Sequence, residues 1–162
     1  MSIGQAGDPT DPRAAFRTLR IIHVAFCTSV LIYGMLVYLM LTYEAIPRDG
    51  FVADFPSLNV LRTIVLLLAL GCFGAIRFFQ GRFLTPEALR RRPTSVTGSI
   101  IQWSIFTFSL AEAIAIFGLL LFLIAGLLGD FLVLSAISLL VLFWLRPKED
   151  EYNALVRQTL HT

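Results

Sequence analysis

From Ile100 to Leu145 the chain carries only two charged side chains, Glu112 and Asp130. A single helix of that length would run about 69 Å at about 1.5 Å per residue, more than twice the roughly 30 Å of bilayer hydrocarbon. The segment therefore predicts two crossings joined by a tight turn. Gly126, Gly129 and Asp130 supply turn chemistry, which places spans at 101–125 and 131–145. Two further apolar blocks precede them, at 21–42 and 60–79. Hydrophobic residues make up 57% of the 162-residue chain and charged ones 15%, well below the quarter usual in soluble domains. The expected fold is all-α: one four-helix transmembrane bundle over residues 12–146.

The flanks read as follows. Residues 1–11 form a polar tail with Gly, Asp and Pro, without the charged start, short apolar run and cleavage site of a signal peptide. The first apolar helix is thus expected to stay as a span. Asp11-Pro12 is a helix start. Residues 44–58 form a Pro- and Gly-containing loop, and Thr85-Pro86-Glu87 opens a short helix ending before Pro93. Residues 147–162 read as a surface helix or tail with a thin apolar stripe of Tyr152, Leu155, Val156 and Leu160. Arg62 and Arg77, near the two ends of span 2, are expected to snorkel to headgroups, and Tyr38, Tyr43 and Trp103 to sit at the interfaces. Cys27 and Cys72 read as small apolar fillers. No CxxC and no His/Cys cluster suggests a metal, and no motif suggests a cofactor.

The cationic residues set an orientation. Arg13, Arg17, Arg20, Arg77, Arg82, Arg90, Arg91, Arg92, Arg146, Lys148 and Arg157 flank one side, whereas only Arg48 and Arg62 fall on the other. The positive-inside rule puts the first group, and both chain ends, in the cytoplasm of a bacterial-type inner membrane. A faint internal repeat fits this layout. The run from Thr28 aligns without gaps on the run from Glu112, bringing Tyr33-Gly34 onto Phe117-Gly118. It points to a parallel 2+2 duplication of hairpins. The bilayer is one expected partner, a second copy or a larger membrane complex another. No basic patch interleaved with aromatics supports nucleic-acid binding.

Glu112 carries the chemistry. It lies near the middle of span 3, where a charged carboxylate costs roughly 2.5–3.5 kcal/mol. Burial in hydrocarbon favours the neutral acid, so a glutamate here is an expected ion- or proton-binding site. Thr28, Ser29, Ser109 and His23 are the candidate supports. His23, one turn inside span 1, either passes protons or keeps a wet ring at the interface. The other reading of Glu112 is protonated glue, bonded to Thr28, Ser29 or a backbone carbonyl. Ser104, Ala111, Ala115 and Gly118 form a small-residue face bordering Glu112, which aims it at a helix seam. No nucleophile elbow, phosphate loop, carboxylate pair or haem-ligating His pair appears, so an enzyme reading has no site.

The run Ser109-Leu-Ala-Glu-Ala-Ile-Ala-Ile-Phe-Gly-Leu-Leu-Leu resembles the ion-binding helix of the rotary ATP synthase ring proteolipid, subunit c. Arg91-Arg92-Pro93, before Glu112, is similar to that family's polar cytoplasmic loop, and the resemblance extends over residues 80–125. It implies that Glu112 is the carboxylate that carries the ion and that proton translocation is the task. Two functions stay open: a proton-binding membrane protein of this kind, or a structural or accessory subunit of a larger membrane complex.

Overall fold

The computed structural model describes residues 12–43, 58–83, 96–150, 152 and 154. The expectations for the tail 1–11, the loop 44–57, the short helix after Thr85 and most of 151–162 lie outside the described residues. Among the described residues there are four α-helices and no strand. They are α1 (Pro12–Thr42), α2 (Leu58–Phe83), α3 (Val96–Ala125) and α4 (Leu128–Trp144). The first three are long and apolar enough to cross a membrane, and α4 is a shorter apolar helix of 17 residues.

The surface has the polarity of a molecule dissolved in lipid. Leu140 is 68% exposed and Leu70 66%, whereas Ser99 and Ser138 are fully buried. Water would reverse that order, because large apolar side chains gain about 1.5–3 kcal/mol each from leaving it. In hydrocarbon the gain vanishes, and polar side chains turn inward to find partners.

α3 is the hub. It packs against each of the other helices, and α1 also packs on α4. Contacts along their lengths fix the directions. Ala15 clusters with Ile100, and Val37 with Phe122, so α1 and α3 run parallel. Phe83 stacks on Trp103, and Val65 clusters with Leu121, so α2 is antiparallel to α3. His23 meets Leu142, so α4 is antiparallel to α1. The start of α1 and the end of α4 share one end of the bundle, where Tyr152 joins Ala15 and Ile100. The repeat predicts two equivalent hairpins, but the packing is unequal. α3 and α4 form a close hairpin, whereas α1 and α2 each dock on α3.

The inward stripe of α1 is Leu19, His23, Phe26, Val30, Tyr33 and Val37, alternating steps of four and three. This 3.5-residue period keeps a straight seam on a neighbouring helix. α3 must bury several faces at once. Its small residues Ser104, Ala111, Ala115 and Gly118 are all buried.

One expectation is corrected here. The turn between α3 and α4 is shorter than expected, because Gly129 and Asp130 lie inside the first turn of α4. Gly126 alone ends α3, with a left-handed φ of 66° that suits glycine, and its N–H bonds the Phe122 carbonyl at 2.8 Å. Asp130 gains instead from the positive amino end of α4. Arg62, half-exposed, also reaches across to α4: its Nη2 donates to Asp130 Oδ1 at 2.7 Å. Arg77 lies over the Trp144 ring, 4.6 Å from the centroid, a cation–π contact. Trp103, expected as an interface anchor, stacks on Phe83 with centroids 4.3 Å apart and planes 3° apart.

Candidate functional site

Glu112 is the seventeenth residue of the 30-residue α3, far from both ends. It faces α1 at a partly open seam and is of intermediate burial within the chain. Its Oε1 accepts hydrogen bonds from Ser29 Oγ and from Tyr33 Oη, the latter at 2.7 Å. Ser29 and Tyr33 are one turn apart on α1, so a single helix face presents both hydroxyls. Their depth follows from the parallel register of α1 and α3, which sets Thr28 level with Glu112 as the repeat does.

A count of hydrogens constrains this cluster. Ser29 has one hydroxyl hydrogen, yet Oγ contacts two acceptors, Glu112 Oε1 and the Phe26 carbonyl at 2.8 Å. A carboxylate lets Ser29 satisfy only one of them. A protonated Glu112 can donate to Ser29 Oγ, which frees the Ser29 hydrogen for Phe26. Tyr33 can donate in both states. The cluster thus has a complete hydrogen-bond arrangement with the proton present and a two-donor cradle for the carboxylate with it absent.

The other sequence candidates lie elsewhere. Thr28 Oγ1 donates back to the Val24 carbonyl at 2.9 Å and is exposed. Ser109 is exposed and lines a separate hollow with Trp103 and Phe106. His23 is buried and turns its ring to other partners. It is 8% exposed, its ring sits edge-on to Phe108, and Nε2 meets the Leu142 carbonyl at 2.8 Å. A carbonyl only accepts, so Nε2 carries a hydrogen. Beyond Leu142 the helix tightens, and Arg146 N–H bonds Phe143 rather than Leu142. His23 therefore caps a backbone carbonyl that α4 leaves open at its end.

Of the four candidate supports, then, only Ser29 touches Glu112. Tyr33 is the partner that sequence reasoning did not name as one. The signal was present in the repeat: residues level with Glu112 on α1 begin at Thr28, and Ser29 and Tyr33 are the nearby hydroxyls sharing a face.

The neighbouring α3–α4 seam is dry and close. Ser138 Oγ donates to the Ala111 carbonyl at 2.7 Å, one residue before Glu112. A Cβ on Gly118 would stand 3.0 Å from Leu134 Cβ and 3.1 Å from Phe131 Cα, so only glycine fits without a shift. Among the described residues no group of three or more His, Cys, Asp or Glu is placed to hold a metal. Cys27 and Cys72 are free thiols of intermediate burial. No protein-family model, no curated protein and no solved structure matches the chain.

Proposed function

We propose that this chain is a small four-span inner-membrane protein whose Glu112 binds and releases a proton inside the bilayer, in the manner of a ring proteolipid. The single observation that carries the reading is the pair of hydroxyls, Ser29 and Tyr33, converging on one carboxyl oxygen at mid-helix. A lone acid at that depth needs its charge removed or cradled. The two donors provide the cradle, and the spare Phe26 acceptor lets Ser29 turn its hydrogen away when the acid is protonated. The partly open seam leaves Glu112 within reach of another membrane protein or a second copy, the route by which a proton would arrive or leave. Both chain ends are cytoplasmic in this reading, because the basic residues cluster at the end of the bundle that holds them. Reporter fusions at the two termini test that orientation.

The experiment for the proton is labelling with a hydrophobic carbodiimide, which reacts with protonated carboxyl groups in apolar surroundings. Modification at Glu112, faster at low pH and abolished in Glu112→Gln, is the expected result. Glutamine keeps an oxygen for Ser29 and Tyr33, so the fold of the variant should persist. A second reading, glue for an accessory subunit, is favoured by the same bonds, since they tie α1 to α3. It predicts that Glu112→Gln changes no activity and keeps its co-purifying partner, whether or not the wild-type acid is labelled.

A further inference from the structure

The end of the bundle that gathers both chain ends holds a cleft of about 380 Å³ between the start of α3 and the ends of α2 and α4. Its polar walls include Gln80, Ser104, Thr107, Arg146 and Lys148. The side chains of Gln80, Ser104 and Arg146 make no hydrogen bond or ion pair with another described residue. The surroundings are electropositive. Arg13, Arg17, Arg20, Arg77 and Arg82 sit at this end, against the exposed Glu149 and Asp150. The amino end of α3 points here as well, adding its partial positive charge. The opposing carboxyl end of α4 is muted, since His23 occupies the Leu142 carbonyl.

A second hollow adjoins the first. An apolar groove of about 250 Å³ runs between α2 and α4, lined by Phe73, Ile137, Leu140 and Val141. Trp144 is a wall of both hollows, and Arg77 lies over its ring at their junction. A cationic, donor-rich cleft opening onto an apolar groove has the shape of an amphiphile with an anionic head and a hydrocarbon tail. Basic pockets between membrane helices recognise lipid phosphates in this way.

We propose that the cleft and groove together seat one anionic phospholipid. Its phosphate lies against Arg146 and Lys148, with Ser104 and Gln80 donating. One acyl chain runs along Phe73, Ile137 and Leu140. The seat is independent of Glu112 and would hold α2 and α4, which leave a groove between them, in a fixed relation.

The test uses the full chain in mild detergent, titrated separately with phosphatidylglycerol, phosphatidylcholine and inorganic phosphate. Thermal stability and lipid retained after gel filtration are the readouts. Phosphatidylglycerol should raise the melting temperature saturably and stay bound, while the other two do neither. Each cation near a lipid phosphate contributes about fivefold in affinity, so the Arg146→Gln/Lys148→Gln double variant should need about thirtyfold more lipid. Leu140→Trp, at a position 68% exposed, should also weaken lipid binding by filling the groove. The proposal is overturned if phosphatidylcholine saturates at the same concentration or if inorganic phosphate reproduces the shift. It also fails if either variant titrates like the wild type.

Discussion

Two of the seams of α3, toward α4 and toward α1, differ in how much each relies on close packing and on hydrogen bonds. Toward α4 it offers Ala111, Ala115 and Gly118, all buried, and the helices approach until a single methyl on Gly118 would meet backbone. Toward α1 it offers Glu112, and the join is made by hydroxyls on a face of intermediate burial. Lipid supplies no hydrophobic drive between helices, so association rests on close packing or on hydrogen bonds. α3 uses both in different measure: Ser138 bonds the Ala111 carbonyl across the α4 seam, and Val37 packs with Phe122 across the α1 seam beside the Glu112 hydroxyl pair. Close packing is rigid and has one solution. A hydrogen-bonded seam depends instead on donors and acceptors that meet across it.

Glycine substitutions separate the two most sharply. Gly118→Val adds three carbons against Leu134 Cβ and Phe131 Cα, and should cost about 3 kcal/mol, the upper end for overpacking. Gly34, on α1, has nothing within 4 Å of its would-be Cβ. Gly34→Ala should be neutral or stabilise by up to about 1 kcal/mol through helix propensity. Unfolding in mixed micelles, followed by loss of helical circular dichroism, compares them. Equal stability of Gly118→Val and wild type would remove the close α3–α4 approach from the argument.

His23→Leu comes next in size. It fills the same space but strands the buried Leu142 carbonyl, for about 2 kcal/mol. The same titration measures it. His23→Gln, which can still donate, should recover part of the loss. A histidine that served only to contact water would show no such rescue.

The contrast also explains what the sequence made legible. The fold was readable because hydrocarbon thickness dictates block length, and few apolar sequences can evade it. Glu112 was readable because one acid among apolar residues stands out. Its partners were not, because they depend on helix rotation across a seam. Thr28 and Ser29 are adjacent in sequence but about 100° apart around the helix, so one hydroxyl turns back to Val24 and the other reaches Glu112. Tyr33 read as part of an apolar span, since an aromatic ring there needs no further reason. His23 read as a proton relay or a wet interfacial ring from its place near a helix end, and only the neighbouring end of α4 gives it the Leu142 carbonyl as partner. Gly129 and Asp130 carried turn chemistry yet sit in a helix, because Gly126 had already closed α3.

The smallest loss of stability, and the most informative, belongs to Tyr33→Phe. It deletes one oxygen and leaves the ring packed, so the cost should be about 0.6 kcal/mol, typical of a hydrogen bond between membrane helices. Its effect on labelling should be larger than its effect on folding. The lost donor serves the carboxylate more than the acid, because a charge gains more from each hydrogen bond. Carbodiimide modification of Glu112 at neutral pH should therefore be faster in Tyr33→Phe than in wild type, with the fold unchanged. Ser29→Ala should act in the same direction, but it removes an acceptor from the protonated state too, so the two variants separate donation from exchange. If both label at the wild-type rate, the hydroxyls only hold α1 to α3, and the polar seam would differ from the dry one in material but not in purpose.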